Sequence, residues 1–195
     1  SIHFQGRSIC GLPSHEIIAL GIARTFQNIR LFSNMTALEN VMVGRYCRSS
    51  ERLLGPLLRL KSFHAEEKAV ETAAKEFLEF VGILPHGNSL AKNLSYGNQR
   101  RLEIARALAT EPKLLILDEP TAGMNPTESQ DLVSLVRKIQ KRGISVLLIE
   151  HQMRVVMDIS DRVVVFDYGV KIAEGTPDEV VNNPRVIEAY LGKGA

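Results

Sequence analysis

The sequence predicts an α/β fold: a parallel sheet core interrupted by a helical subdomain. Three observations carry this reading. Short apolar, β-branched runs at Ile22–Gln27, Lys113–Leu117, Ile144–Ile149 and Arg162–Phe166 alternate with helical segments, as in a right-handed parallel sheet. Between the first two runs, residues 28 to 93 have mainly helical periodicity. The stretch Leu94–Glu119 then sets a glycine-containing turn, an amphipathic helix, Pro112 and an apolar strand in direct succession, ending in two adjacent carboxylates, Asp118 and Glu119.

In chain order, Ile2–Phe4 reads as a short strand turning toward Leu12-Pro13. Ser14 is placed to cap a helix over His15–Leu20 that Gly21 ends. The strand Ile22–Gln27 is apolar except for Arg24. Thr36 and Glu39 have the spacing of a capping box for a helix reaching about Arg45. Arg45–Lys61 carries five cations, one acid and five leucines. It reads as a solvated, partly helical insertion broken at Gly55-Pro56, or else as a surface facing a membrane or a partner. His64–Val81 is an amphipathic helix with Ala69, Ala73, Phe77 and Phe80 as its stripe.

The helix within Leu94–Glu119 puts Leu102, Ala105 and Leu108 on one face. Asn125, Pro126 and Glu128 start a helix reaching about Lys141, with Leu132, Leu135, Val136 and Ile139 inward and Gly143 as its stop. Ile144–Ile149 reads as a central parallel strand, running into Glu150-His151 and a short helix, Gln152–Ile159. Arg162–Phe166, Asp167-Tyr168-Gly169 and Val170–Ala173 read as an edge hairpin. A capping box at Thr176 and a short helix Arg185–Leu191, capped by Asn183, complete the chain.

Its 195 residues, 45% of them hydrophobic, suffice for one domain or one domain with a subdomain. A net charge of +2 gives no bulk electrostatic argument for nucleic acid or a membrane surface. Cys10 and Cys47 lack metal-ligand spacing, as expected of a reduced, cytoplasmic protein. Apolar runs such as Leu114–Leu117 and Val146–Ile149 are too short to span a bilayer, and SIHFQGRSIC lacks the core of a signal peptide. The chain is therefore expected to be soluble, and peripheral where it serves a membrane.

A turn that opens a helix offers backbone N–H groups to phosphate, and a strand ending in Asp-Glu presents carboxylates at the carboxyl edge of the sheet. Either device alone is common; a bare strand-Asp-Glu more often caps the next turn. Together, LSYGNQ at 94–99 and LLILDEP at 114–120 resemble the signature motif and Walker B strand of ABC ATPases. The resemblance implies a P-loop NTPase-type core: residues 1–27 as its amino-terminal part, 28–93 as the helical subdomain with the signature helix continuing to about 111, and 94–195 as the RecA-like part with Walker B, switch histidine, edge hairpin and final helices.

The resemblance also implies roles, matched by motif position. Asp118 holds Mg²⁺ through its water shell, and Glu119 orients or deprotonates the attacking water. Gln27 ends the Q-loop strand and reaches the magnesium, with the loop after it facing a transmembrane partner. His151 is the switch histidine. Ser95, Tyr96, Gly97 and Asn98 contact the γ-phosphate of ATP held by a second ATPase subunit, in a head-to-tail dimer of identical or sister chains. Tyr96 and Asn98 depart from the commonest LSGGQ form. Asn125 stands where the family's D-loop usually has aspartate, which weakens its role.

No G-x-x-x-x-G-K-[ST] occurs, and no lysine precedes position 61. The resemblance thus covers nearly all of this chain, while the chain covers roughly the last three-quarters of the family's domain. The expectation is an N-terminally incomplete chain that by itself binds ATP weakly and is inactive.

Within the family, GIARTFQNIRLFSNMTALENVMVG, NLSYGNQRRLEIARALAT, EPTAGMNP, LLIEHQMRVVMDISDRVVV and EGTPDEVVNNPRVIEAYLG resemble the ATPases of branched-chain amino-acid importers, the LivG type. That implies an ATP-hydrolysing subunit on the cytoplasmic face of the inner membrane. Its partners would be permease subunits, a second ATPase subunit and, indirectly, a periplasmic solute-binding protein, with no nucleic acid. The alternatives are a urea-import or lipopolysaccharide-export ATPase, or a non-transport ABC ATPase acting on nucleic acid.

Overall fold

A computed structural model describes residues 1–48 and 61–191. The chain opens with an antiparallel hairpin, β1 (His3–Phe4) and β2 (Arg7–Ser8), whose second strand the sequence reading did not anticipate. Helix α1 (Ser14–Leu20) begins one residue earlier than expected. Ser14 is its first helical residue, so the cap position falls to Pro13, and no side chain caps it. Gly21 closes α1 at φ 103°, where only glycine is unstrained, and its N–H returns to the Ile17 and Ile18 carbonyls.

β3 (Ile22–Arg24), β4 (Leu114–Asp118) and β5 (Ser145–Ile149) form a parallel sheet in that order, with Ile22 opposite Leu114 and Leu114 opposite Ser145. β3 is half the length expected. The Thr25 N–H still reaches the Ile116 carbonyl at 2.9 Å, and the chain then bends away at Gln27. β5 was expected to be central. Among the described residues it pairs only with β4, and Ser145, Leu147 and Ile149 are exposed.

Between β3 and β4 lie α2 (Ala37–Arg45), α3 (Lys61–Phe80) and α4 (Tyr96–Leu108). The capping box forms as read: the Glu39 N–H donates to the Thr36 hydroxyl, and the Thr36 N–H donates to the Glu39 carboxylate at 2.7 Å. The expected insertion at Arg45–Lys61 falls largely outside the described residues. In α3 the buried stripe is Val70, Ala74 and Leu78, one residue on from the expected one. Ala69 is exposed, while Ala73, Phe77 and Phe80 lie at the margin. Both sets have the same spacing, so periodicity alone does not choose between them.

The main core joins these helices to the sheet through Val41, Leu78, Leu102, Ile104, Leu115, Leu117 and the inner face of α5 (Pro126–Lys141). Asn125 and Glu128 form the capping box of α5. After α6 (Met153–Ile159), strands β6 (Val163–Asp167) and β7 (Val170–Gly175) make a hairpin closed by Tyr168 and Gly169. Both residues have positive φ, as a tight type I′ turn requires. Helices α7 (Pro177–Val181) and α8 (Pro184–Leu191) close a smaller core on the hairpin around Val163, Ala173, Val180 and Val186. Among the described residues, no helix is long and apolar enough to cross a membrane.

Helix α2 crosses α4 at Gly44. A Cβ there would stand far inside contact distance of the Arg106 backbone carbonyl. Gly44→Ala should therefore push the helices apart and cost about 1–3 kcal/mol, read as a lower urea midpoint at unchanged slope. The helix caps set a pH signature. The Thr36 N–H, and then its hydroxyl, hold the Glu39 carboxyl below its usual 4.5, and Thr176 does the same for Glu179. A lowered carboxyl contributes stability above pH 4.5 that is lost as pH falls through its folded value. Glu39→Gln should make the fall in stability below pH 4.5 shallower than in the parent, measured by urea unfolding at each pH.

Candidate functional site

β4 delivers Asp118 to the carboxyl end of the sheet, and the chain turns sharply at Glu119. Glu119 sits at φ 41°, in the left-handed region, a conformation that costs a non-glycine residue on the order of 1 kcal/mol. Its N–H donates to the Ile149 carbonyl of β5 at 2.9 Å, which anchors the strained turn.

Four of the expected residues gather here. The Gln27 side-chain amide donates from Nε2 to Glu119 Oε2 at 2.8 Å, which leaves the Gln27 amide oxygen unengaged by that bond. His151 Nδ1 stands 3.8 Å from Glu119 Oε1, with its ring mostly exposed. Asp118 is the immediate neighbour, and its Oδ2 accepts from Arg24 Nη2 at 2.7 Å. The grouping combines an acid held by an amide, an imidazole beside it and a second carboxylate at the strand end. This arrangement can orient a water and receive its proton.

The donor set suits a hard divalent cation that shares its shell with phosphate. Asp118 and the Gln27 amide both offer oxygen, and one or two protein oxygens are what Mg²⁺ takes when phosphates and water supply the rest. Among the described residues there is no group of three His, Cys, Asp or Glu side chains that could hold a metal ion.

The remaining expected residues lie at the start of α4 and α5. The Ser95 hydroxyl caps α4, with its oxygen accepting the Asn98 N–H at 3.4 Å, so its own hydrogen is free to donate. A Cβ on Gly97 would meet Glu128 Oε1 at 3.0 Å, which places this turn against the amino end of α5. The Tyr96 ring lies over Gly123. The Asn125 side chain accepts the Glu128 N–H at 2.9 Å; its contact here is the helix cap.

Three contributors were not identified from sequence. Arg24, the charge in an otherwise apolar strand, pairs with Asp118. The fully buried Glu150 carboxylate accepts from the Thr121 N–H at 3.1 Å and the Thr121 hydroxyl, and from the His151 and Gln152 N–H groups at 2.9 and 3.3 Å. It thereby ties the residues after β4 to those after β5, and its signal was a second strand ending in an acid. Arg100, wholly buried in α4, donates to the carbonyls of Phe26 and Gln27 at 2.6 and 2.8 Å.

Beside the site, a groove of about 490 Å³ opens between β3, α2 and α4, lined among others by Phe26, Arg30, Phe32, Val43 and Arg106. Burial pushes the Arg106 guanidinium below its usual value. It lies over the Phe32 ring at 5.4 Å and donates to the Arg30 carbonyl.

Residues 1–122 match the family described as ABC transporter, and residues 170–195 match the branched-chain amino acid ATP-binding cassette transporter family. The high-affinity branched-chain amino acid transport ATP-binding protein LivG of Escherichia coli is 46% identical over 195 residues, spanning 99% of this chain and 76% of that protein. The corresponding protein BraF of Pseudomonas aeruginosa is 45% identical, over 98% of this chain and 76% of its own length. Among solved structures, an ATP-binding cassette of an ABC transporter in its ADP conformation superimposes with TM-score 0.79 at 35% identity, over 98% of this chain and 76% of that one. A nucleotide-free cassette from an ABC transporter gives TM-score 0.79 at 34% identity.

Replacing the Thr121 hydroxyl removes a donor to a buried charge. Thr121→Val should cost about 1.5–3 kcal/mol, measured as a lower denaturation midpoint, with shape and volume nearly kept.

Proposed function

The chain belongs to the ABC transporter ATP-binding family, and from that membership we propose that it is the ATP-hydrolysing subunit that energises uptake of branched-chain amino acids. Two features support the solute class. The curated relatives at 45–46% identity are named for branched-chain amino acid transport, and the carboxyl-terminal residues match the family of that name. The observation that carries the chemistry is the Gln27 amide on Glu119 at 2.8 Å, beside Asp118 and His151, at the carboxyl end of β4.

Phosphoryl transfer to water needs an oriented nucleophile and neutralised charge. Glu119 holds the attacking water in line and receives its proton. Gln27 fixes one carboxylate oxygen and leaves the other toward water. His151, whose Nδ1 stands 3.8 Å from the Glu119 oxygen that Gln27 does not bond, hydrogen-bonds the transferred phosphate. Bound Mg²⁺, which Asp118 and the Gln27 amide oxygen would hold, supplies charge neutralisation to the phosphate oxygens.

Ser95 and Gly97 act on a nucleotide held by a second ATPase subunit. The Ser95 hydroxyl donates, Gly97 lets backbone approach, and the amino end of α4 adds its partial positive charge. The permease subunits seat at the groove beside residues 26–32, at the cytoplasmic face of the membrane. The groove's apolar floor with Arg30 and Arg106 at hand supports this placement.

In the intact transporter, Glu119→Gln should lower steady-state ATP hydrolysis by about 10²–10⁴-fold while ATP binding is kept. Hydrolysis at the parent rate would remove Glu119 from the catalytic role.

A further inference from the structure

Residues 26–32 leave β3 without regular structure, yet their backbone polar groups are held one after another by side chains. Arg100 takes the largest share. Its Nη1 donates to the Phe26 carbonyl at 2.6 Å and to Glu103 Oε2 at 2.8 Å. Its Nη2 donates to the Gln27 carbonyl at 2.8 Å and to the Tyr96 hydroxyl at 3.2 Å. The side chain is wholly buried, as is that of Glu103, which also accepts the Arg30 N–H at 3.3 Å. In sequence the pair resembles an ordinary i, i+3 ion pair on a solvated face. Here it lies inside the protein, where an ion pair carries a large desolvation penalty; each terminal nitrogen of Arg100 offsets part of it with two hydrogen bonds, while its buried Nε–H has no partner among the described residues.

We propose that Arg100 is a positioning residue for ATP hydrolysis: by gripping two successive carbonyls it fixes the backbone at Gln27, and so the distance at which the Gln27 amide meets Glu119. The inference rests on the reading of Glu119 as the catalytic acid. The Gln27 side chain is itself exposed and can rotate, so its aim depends on where its backbone is held. A planar guanidinium with donors in a fixed fork can set that position, and a point-like ammonium cannot. The same fork reaches Tyr96 beside the signature turn, so Gln27 is held in register with the start of α4.

The test is a double-mutant cycle in the intact transporter, with kcat and KM for ATP measured separately. Arg100→Lys keeps the charge beside Glu103 but can hold only one carbonyl well. It should lower kcat by about tenfold to a hundredfold, the scale of an ångström-sized misplacement, with KM for ATP little changed. In the Gln27→Ala background the same substitution should lower kcat no further, because the group through which Arg100 acts is gone. Equal factors in both backgrounds, as a merely structural role would give, overturn the proposal. So does an unchanged kcat for Arg100→Lys alone.

Single variants separate this failure from failure of the underlying reading. Glu119→Gln at the parent rate would remove the catalytic assignment, and Gln27→Ala at the parent rate would remove Gln27 from the site; either takes this inference with it. A slow Gln27→Ala with additive effects overturns this inference alone. If Arg100→Lys is recovered unfolded, Glu103→Gln, which keeps its shape and neutralises the partner that orients Arg100, goes through the same cycle and is judged by the same outcomes.

Discussion

The structure around the site depends on one requirement: the irregular segment 26–32 must have its backbone hydrogen bonds satisfied without a strand to pair with. Buried N–H and C=O groups left unpaired are costly, and no ladder is available here. Most of these partners come from two helices. From α4, Arg100 and Glu103 hold the Phe26 and Gln27 carbonyls and the Arg30 N–H, and Arg106 holds the Arg30 carbonyl. From α2, the fully buried Asn40 both accepts the Phe32 N–H at 3.0 Å and donates to the Phe32 carbonyl at 3.1 Å. The segment thus has little shape of its own. It takes its shape from the helices, and the site residue Gln27 takes its place from the segment.

This dependence joins the parts into one mechanical unit. α2 and α4 approach closely at Gly44, where a glycine lets the helix pass against the Arg106 carbonyl. The Arg106 side chain then reaches from the same residue into the loop. On the other side, Glu150 gathers Thr121, His151 and Gln152 around one buried carboxylate. Glu119, at its left-handed backbone, sits between these two clamps: Gln27 on one side and the Ile149 carbonyl on the other.

Much of this was legible in the residues, for physical reasons. The helix starts at Thr36, Asn125 and Thr176 were readable because a capping box is a local hydrogen-bonding device fixed by three-residue spacing. The carboxylate pair of β4 was readable only in company: a bare strand-Asp-Glu more often caps the next turn, and the LSYGNQ turn upstream singled this pair out. The α3 stripe was misplaced by one residue because spacing defines a face only to within its own width. The length of β3 was overestimated because Phe26 extends its apolar character, while the carbonyls of Phe26 and Gln27 are claimed by Arg100, more than seventy positions downstream. Arg100, Glu103 and Glu150 escaped notice for the same reason: a buried charge resembles a surface charge until its distant partners are known.

The free side of β5 has a consequence for the behaviour of the polypeptide in solution. Leu147 and Ile149 are about half exposed beside a strand edge that pairs with nothing among the described residues, and Val164 and Phe166 of the hairpin are also exposed. Open backbone donors and acceptors flanked by branched apolar side chains form a template onto which another strand can be added. Among the described residues, that edge is where an added extended segment would find both backbone partners and apolar contacts.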